Sequence, residues 1–331
     1  MHIRPNVKRL LFIIAVSLAL LFFFYPHRVY RLEPPPLSDN TAGTKIPSRD
    51  TNFAQDLDTY DSPGLSEAVI PMELKERIEN QLQNSAGNYS LGYKSLQSGE
   101  EVVINPGPMT AASIIKIFVM LEAYHQVYNN KITLDETLIL MKNDKVGGTG
   151  SLGNSQDGKE ITIRQLIKIM ITESDNTATN MLIDKLSFEK INEFITAQGC
   201  LNTVLQRKMM DQASIQKGVE NKTSVMDLVL VLEKLYHGQC VSPVYDQEMI
   251  DIMRMQKDRS RIPRLLPPDV PVAHKTGDLS GIVNDAGIIY TGKDDFILCI
   301  LSRDVTNPAD AKETIAKVSR IIFDAHNKVP E

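Results

Sequence analysis

The chain has 331 residues, 42% hydrophobic and 23% charged, with a formal net charge of -5. This composition is typical of a globular protein with a substantial core. The acidic balance, without a long basic stripe or an aromatic RNA-binding pattern, gives no support for a nucleic-acid partner. The sequence also lacks a P-loop signature and a closely spaced histidine pair, so we predict no cofactor and no metal site.

The N-terminus predicts a membrane anchor. An uncharged apolar stretch, residues 10–25, follows the basic residues Arg4, Lys8 and Arg9, which is the pattern of a signal sequence or signal anchor. No small-residue cleavage site and no lipid-modified cysteine motif follows the stretch. We therefore favour an uncleaved anchor within residues 1–32, with the rest of the chain on the extracellular side of the cell membrane. Cleavage, which would give a secreted protein, is the alternative.

Residues 33–65 are rich in proline, serine, aspartate and threonine and show little hydrophobic periodicity. Such a composition predicts a flexible spacer, here between the anchor and a folded domain at 66–331. The alternative is that part of the segment packs onto the domain.

The domain begins with a predicted helix that ends near residue 83 and has apolar residues four apart on one face. Alternating apolar and polar residues then predict a hairpin with strands near 89–95 and 101–105. The middle of the chain is mostly helical, with helices predicted at 113–128, 162–173, 177–186, 188–198 and 224–237. The final part is predicted to form three strands, at 270–277, 281–290 and 295–303, followed by a closing helix at 308–327.

This order of elements predicts an α+β fold. Strands joined by hairpins form an antiparallel sheet, the N- and C-terminal helices flank it, and the helical middle forms an all-α lobe. A cleft between the two lobes is the natural position for an active site.

The three cysteines, Cys200, Cys240 and Cys299, are far apart and form no C-x-x-C motif. A zinc or redox motif is therefore not indicated, and at most one disulfide can form. Cys299 lies in the apolar stretch FILCILS, which predicts a buried strand where cysteine acts as a small hydrophobic residue.

Three short motifs are the candidates for chemistry. Ser113 and Lys116 form an S-x-x-K motif, Ser174 opens an S-D-N motif, and Lys275 opens a K-T-G motif that ends the strand beginning VPVAH. Lys116 stands beside an apolar helical stripe, and burying an ammonium group is costly unless it is paired or its pKa shifts. An isolated S-x-x-K is usually a lysine that reaches solvent from the side of a helix, so the argument depends on the three motifs together.

The order and separations of these motifs resemble those of the class A β-lactamases and, more widely, the serine penicillin-recognising enzymes. The resemblance covers about residues 66–331 and extends to flanking stretches such as SDNTATNML and HKTGDLSGIVNDAGIIY. It implies a serine hydrolase, monomeric and without a cofactor, that forms an acyl-enzyme with β-lactams or related amides.

The chemistry requires these residue types. A serine hydroxyl needs a base within hydrogen-bond reach, and residues three apart on a helix, such as Ser113 and Lys116, are side-chain neighbours. In a desolvated cleft near a second lysine, the pKa of Lys116 falls and a neutral amine becomes available. A helix N-terminus at Ser113 also favours the developing negative charge.

The resemblance implies a catalytic role for four residues. Ser113 is the acylated nucleophile, and Lys116 is its base or proton relay. Ser174 passes a proton to the leaving nitrogen and is held by Lys275.

The resemblance also implies how substrate is bound. Asn176 takes the substrate's amide side chain, and Thr276 takes its carboxylate with help from the charge of Lys275. The backbone N–H groups of Ser113 and Asp278 form the oxyanion hole.

Other residues near the motifs have structural explanations. We expect Asp175 to stabilise its own turn, Glu173 to be structural, and Gly277 to let substrate lie against the strand. Arg261 and Arg264 are candidates to bind a carboxylate, but solvated surface arginines are the preferred interpretation.

The sequence departs from the class A pattern in one loop. Class A enzymes carry a glutamate there that activates the deacylating water, whereas alignment of TVLQRKMMDQASIQKGVENKTS places Met209 at that position. A thioether cannot accept this proton, so we expect slow hydrolysis of the acyl-enzyme. Asp211 is the nearest carboxylate that could substitute, with Glu220 later in the loop, although a solvated loop acid is the preferred interpretation of Asp211. The glycine-rich loop 145–153 replaces an aromatic gatekeeper and predicts an open or mobile rim.

Two alternative functions remain open. One is a penicillin-binding enzyme that acts on D-Ala-D-Ala-like ends of peptidoglycan peptides. The other is a non-enzymatic sensor that traps acylating β-lactams at the cell surface. Met209 favours these two, whereas the intact set of serines and lysines disfavours an inert protein.

Overall fold

A computed structural model of the protein describes residues 69–327, and its side chains from residue 73. The anchor and spacer predicted at 1–32 and 33–65 lie outside the described residues. Within 69–327 no helix has the length and apolar character needed to cross a membrane.

A five-stranded antiparallel sheet organises the fold. Its strands are β1 (Asn88–Ser95), β2 (Glu101–Ile104), β7 (Val272–Leu279), β8 (Ile282–Ile289) and β9 (Phe296–Arg303). Their order across the sheet is β2-β1-β9-β8-β7. Strand β1 pairs with β9 along its whole length, from Asn88 opposite Arg303 to Ser95 opposite Phe296. This pairing joins the N-terminal hairpin to the C-terminal strands and confirms the predicted antiparallel sheet.

The central strand β9 is apolar from Phe296 to Leu301 because both of its faces are buried there. Ile297, Cys299 and Leu301 belong to the core shared with the helical lobe. Phe296, Leu298 and Ile300 belong to a second core on the opposite face. Successive side chains of a strand point to opposite faces, so this alternation explains the uninterrupted stretch FILCILS.

Two terminal helices cover that second face. Helix α1 (Val69–Gln83) contributes Leu74, Ile78 and Leu82, and helix α9 (Pro308–His326) packs against α1 and the sheet. Helix α9 begins with a proline, where the missing N–H has no helical partner to lose. Both helices lie where the sequence predicted them.

The helical lobe lies on the other face of the sheet. Its helices are α2 (Lys116–Tyr128), α3 (Ile163–Thr172), α4 (Asn176–Leu186), α5 (Phe188–Ala197), α6 (Gln212–Gln216), α7 (Val225–Tyr236) and α8 (Pro243–Arg254). Residues 116–124 of α2 are all buried, so α2 is the central helix of the lobe and not a surface helix.

Several elements, all of them short except helix α8, are absent from the sequence prediction. They are β3 (Met109–Thr110), β4 (Thr137–Ile139), β5 (Glu160–Thr162), β6 (Lys222–Thr223) and the helices α6 and α8. Strands of two or three residues are too short to show an alternating pattern. Helix α8 did carry a start signal, since Ser242 caps it and Pro243 is its first residue.

Two motif placements also differ from the prediction. Ser113 lies in a 3-10 turn, Ala112–Ile115, and the α-helix begins only at Lys116. The K-T-G motif lies inside β7 and not at its end, because the pairing with β8 continues to Leu279.

Candidate active site

A cavity of about 530 Å³ lies between β7 and the helical lobe. Its wall includes residues of all three motifs, namely Ser113, Ser174, Asn176 and Thr276, and also Asp278 just after the K-T-G motif. Residues that are far apart in the sequence therefore meet in the cleft between the lobes.

Lys116 is fully buried at one side of this cavity. Its Nζ donates to the Ser174 carbonyl oxygen (2.7 Å), to Ser174 Oγ (3.1 Å) and to Asn176 Oδ1 (2.9 Å). Burial holds the pKa of Lys116 well below its ordinary value, and the nearby charge of Lys275 lowers it further. The loss of hydration is therefore only partly offset, and a neutral amine is accessible here.

Lys275 approaches the same serine from β7. Its Nζ donates to Ser174 Oγ (3.1 Å) and to the Thr276 carbonyl oxygen (2.8 Å), and the side chain is fully buried. Burial lowers the pKa of Lys275 to about 7, although the carboxylate of Asp285 acts in the opposite direction. One serine hydroxyl thus connects two buried lysines.

The backbone is strained at two positions in this wall. Ala112, directly before Ser113, has φ 48°, and Ser174 has φ 55°. A non-glycine residue in the left-handed region costs about 1–3 kcal/mol and persists only when its surroundings fix it. At Ser174 the carbonyl oxygen accepts hydrogen bonds from Lys116 and from the Thr149 hydroxyl (2.7 Å), which hold the turn in place.

Ser113 stands next to the K-T-G strand. A Cβ atom on Gly277 would lie 3.2 Å from Ser113 N and 3.2 Å from the Ala111 carbonyl oxygen. Gly277 therefore makes room for the turn that carries Ser113; that it also lets substrate lie against the strand stays a prediction.

The direct hydrogen bond predicted between Ser113 and Lys116 is absent among the residues described. An ammonium group has three N–H donors, and those of Lys116 have acceptors in Ser174 and Asn176. Ser113 itself is partly exposed and lines the cavity, where a substrate can reach it.

The S-D-N turn is held by its own side chains. Asp175 accepts hydrogen bonds from Ala178 N and Leu152 N, both at 2.8 Å, so it caps α4 as predicted. Asn176 accepts from Lys116, and its Nδ2 donates to the Gly147 carbonyl oxygen (3.1 Å). The Asn176 side chain lines the cavity, but its amide oxygen and its amide nitrogen both already have hydrogen-bond partners.

The loop 145–153 packs directly on this turn. A Cβ on Gly150 (φ 103°) would lie 2.2 Å from Asp175 Oδ2, and one on Gly148 (φ 87°) would lie 2.5 Å from Asn176 Nδ2. Only glycine allows this close approach. Thr149, which the sequence did not single out, also accepts a hydrogen bond from Asn176 N (3.1 Å). These glycines therefore have a packing function that the prediction of an open rim did not include.

The loop 203–223 forms the opposite side of the cavity. Met209 is 7% exposed and lines the cavity together with Met210 and Ile215. The Asn180 side chain fixes the Met209 backbone, accepting from its N–H (2.8 Å) and donating to its carbonyl oxygen (3.0 Å). This part of the wall is apolar.

The acids of this loop are engaged elsewhere. Asp211 lies outside the cavity wall, where it accepts a hydrogen bond from Ser214 N (3.1 Å) and caps α6. Its hydrogen bonds with Ser214 hold the pKa of its carboxyl group below the ordinary value. Glu220 reaches the cavity but pairs with the buried guanidinium of Arg207 (2.6 Å). The structure therefore does not place Asp211 where it could substitute for a glutamate at position 209.

Charged residues near the K-T-G strand form further pairs. Arg261 is fully buried and pairs with Asp278 and Asp258, so its interpretation as a solvated surface arginine is wrong. The cause is its position against the sheet: Arg261 pairs with Asp278 of β7, and the N–H of its sequence neighbour Ile262 donates to Asp285 of β8 (3.1 Å). Arg264 is half-exposed, as predicted.

The remaining candidates for metal or thiol chemistry are structural. Cys200, Cys240 and Cys299 are buried free thiols, and burial raises the pKa of Cys200 to about 12. Over residues 69–327, no group of three histidine, cysteine or acidic side chains is arranged to hold a metal ion.

The chain is similar in sequence to known proteins. The profile of the beta-lactamase enzyme family matches residues 73–326. A protein named beta-lactamase from Phocaeicola vulgatus is 23% identical over 233 residues, which is 64% of this chain and 71% of that protein. Another from Streptomyces fradiae is 28% identical over 184 residues, or 54% of this chain and 59% of that protein.

The chain is also similar in structure to solved proteins. A beta-lactamase from Sphaerobacter thermophilus superposes with a TM-score of 0.72 and 26% identity, covering 80% of this chain and 100% of that one. The protein PBP-A superposes with a TM-score of 0.72 and 28% identity, covering 78% and 97%.

Proposed function

Because this chain belongs to the beta-lactamase enzyme family, it is a serine hydrolase of that type, and we propose that its Ser113 forms an acyl-enzyme with β-lactams or related amides that is then hydrolysed slowly. The observation that carries the proposal is the position of Ser174 Oγ, 3.1 Å from the Nζ atoms of both Lys116 and Lys275. Two buried lysines with lowered pKa values around one hydroxyl form a path for protons.

In the first step Ser113 attacks the substrate carbonyl. Neutral Lys116 has one N–H fewer than the ammonium form and a free lone pair; in this proposal that lone pair turns to Ser113 Oγ and accepts its proton as the new C–O bond forms, and the carbonyl oxygen becomes an oxyanion. The backbone N–H groups of Ser113 and Asp278 stabilise that charge. The lowered pKa of Lys116 supplies the neutral amine that this step needs.

In the second step the C–N bond of the substrate breaks. Ser174 donates its hydroxyl proton to the leaving nitrogen, and Lys116, now an ammonium, returns a proton to Ser174 Oγ across their 3.1 Å contact. Lys275 holds the Ser174 hydroxyl from the other side. Lys116 is then neutral again, and the acyl group remains on Ser113.

Hydrolysis of the acyl-enzyme needs a base for water, and the loop 203–223 offers a thioether at Met209. The acids Asp211 and Glu220 are bonded to Ser214 and Arg207. We therefore propose a long-lived acyl-enzyme. The same observation favours a second candidate function, a penicillin-binding enzyme for peptidoglycan peptides or a β-lactam sensor.

The location of the protein is also a proposal. The basic flank and the apolar stretch 10–25 support an anchor in the cell membrane, with the hydrolase domain outside the cell as a monomer. Protease accessibility in intact cells tests the orientation: digestion of the domain from outside is expected, and its protection would contradict the proposal.

Mapping the covalent adduct tests the proposed nucleophile. Full-length protein is incubated with a penicillin, digested, and analysed by mass spectrometry; one acyl group on Ser113 is expected. Ser113→Ala should carry no adduct. Ser151→Ala, which removes another serine of the same wall, is the matched control and should still be labelled. Absence of label on Ser113 in the wild type overturns the proposal.

A further inference from the structure

The loop 145–153 reaches the residue that delivers a proton in the proposed reaction. The Thr149 hydroxyl donates to the Ser174 carbonyl oxygen (2.7 Å), and the Thr149 carbonyl oxygen accepts from Asn176 N (3.1 Å). Thr149 is exposed and lines the cavity. It therefore binds the first and the last residue of the S-D-N turn from the solvent side.

The sequence G-G-T-G explains how one exposed threonine makes both bonds. Gly148 and Gly150 flank Thr149, and both have a left-handed backbone, with φ 87° and 103°. These conformations suit glycine and bring the loop against the turn, where a Cβ on Gly150 would lie 2.2 Å from Asp175 Oδ2. Threonine is branched at Cβ, so its χ1 angle has few allowed values and the direction of its hydroxyl is restricted.

The bond from Thr149 completes the support of a strained residue. Ser174 has φ 55°, a conformation that costs free energy and persists only where neighbours fix it. Its carbonyl oxygen has two lone pairs and accepts from Lys116 Nζ and Thr149 Oγ1, each at 2.7 Å. Without the Thr149 hydroxyl, this peptide unit is freer to rotate. Such a rotation would move Ser174 Oγ out of its 3.1 Å contacts with Lys116 and Lys275.

We propose that Thr149 is a positioning residue for the acylation step: its hydroxyl holds the S-D-N turn so that Ser174 Oγ stays in contact with both lysines while it gives its proton to the leaving nitrogen. This inference rests on the proposed acylation of Ser113. Thr149 itself carries no proton to the substrate, because its O–H is directed at the Ser174 carbonyl oxygen.

This role predicts which kinetic constant changes when the Thr149 hydroxyl is lost. Ser174 acts when the C–N bond of the substrate breaks, so displacing its hydroxyl lowers the acylation rate constant at saturating substrate. The dissociation constant of the noncovalent complex does not depend on that proton and stays nearly the same. A group displaced by about 1 Å can cost about a hundredfold in rate, and the loss of one of several supporting bonds should cost less.

Thr149→Val tests the proposal, since valine keeps nearly the same shape and lacks the hydroxyl. Full-length protein is mixed rapidly with a penicillin at several concentrations, and the adduct is followed by intact-mass spectrometry. The acylation rate constant at saturation should fall about tenfold, with the dissociation constant within about twofold of the wild type. Thr149→Ser keeps the hydroxyl and should stay within about threefold of the wild type. Thr137→Val, at an exposed position of β4 outside the cavity wall, is the matched control and should acylate like the wild type.

A double-mutant cycle shows whether Thr149 acts through Ser174. Ser174→Ala removes the hydroxyl that Thr149 positions, so adding Thr149→Val to it should slow acylation by no more than about twofold further. If the second substitution costs as much in Ser174→Ala as in the wild type, Thr149 acts independently of the Ser174 hydroxyl, and the inference is wrong.

The outcomes separate this inference from the proposed function. If Thr149→Val acylates Ser113 at the wild-type rate, or if Thr149→Ser is as slow as Thr149→Val, the inference is wrong while the proposed function stands. A change in the dissociation constant alone would mean that Thr149 binds substrate, which also overturns the inference. If penicillin does not label Ser113 in the wild type, the proposed function fails and this inference with it. Because the rate constant is taken from the protein that becomes labelled, a loss of stability alone does not change it.

Discussion

The two sides of the cavity differ in what they can do with a proton. On one side, Lys116 and Lys275 are buried around the hydroxyl of Ser174. On the other side, the loop 203–223 presents Met209 and other apolar groups, and its acids are held away or paired. Forming an acyl-enzyme and hydrolysing it therefore depend on separate groups, and this molecule is equipped for the first step.

The two sides also differ in their effect on stability. Burying two lysines without a carboxylate directly bonded to either costs free energy, and the left-handed backbone at Ser174 adds to that cost. The apolar loop wall, by contrast, contributes to packing. The buried lysines and the strained turn therefore serve the proposed function at a cost in the stability of the folded protein.

The largest expected effect is on the lysine side. Lys116→Met removes the base, so the acylation rate constant should fall by about a thousandfold. Lys168→Met, at an exposed position of α3, is the matched control and should acylate like the wild type. Intact-mass spectrometry after rapid mixing measures both; near-wild-type acylation of Lys116→Met would mean that another group is the base.

A second prediction concerns the support of the S-D-N turn. A Cβ at Gly150 would overlap Asp175 in a left-handed backbone, so Gly150→Ala should lower the free energy of unfolding by about 3 kcal/mol and slow acylation. Gly107→Ala, where nothing lies within 4 Å, is the control and should stay near the wild type. Denaturant unfolding decides; equal stability of the two variants would contradict the packing argument.

The pH dependence of stability measures the cost of the lysine side. The pKa of Lys275 is about 7 in the folded protein, whereas an ordinary lysine has a pKa of 10.5. Between these values the unfolded chain binds up to one more proton at Lys275 than the folded protein does, so this lysine makes stability rise with pH by at most about 1.4 kcal/mol per pH unit. The stability difference between the wild type and Lys275→Met should therefore change between about pH 7 and 9, and parallel curves would show an ordinary pKa.

The smallest expected effect comes from placing a base on the loop side. Met209→Glu puts a carboxylate into the apolar wall, where burial raises its pKa, and the acyl adduct should be lost about tenfold faster. Met210→Glu places the same charge one residue further, in a left-handed and more exposed position, and should have little effect. Faster loss in Met210→Glu alone would show that position 209 was aligned wrongly.

The sheet and the main helices could be predicted because their signals are local. The hairpin β1-β2, the strand FILCILS and the capped helix α9 each carry a periodic or capping pattern. The three motifs predicted which residues meet in the cleft, because their types and order are specific.

Contacts between distant segments could not be predicted in the same way. The buried state of Arg261 depends on the strands that cover it, and the fit of Gly150 against Asp175 depends on a loop folding back on a turn. The acceptors of Lys116 also lie in another segment, so the helical spacing from Ser113 suggested a hydrogen bond that the described residues do not contain. Local spacing determines which side chains are near, but tertiary contacts decide which of them bond.

Burst kinetics with a chromogenic cephalosporin test the contrast between the two sides most directly. We predict that full-length protein releases about one product equivalent per active site in a fast phase, followed by much slower turnover limited by loss of the Ser113 adduct. Steady turnover from the first cycle, with no accumulated adduct, would contradict the account, because the loop side would then activate water efficiently.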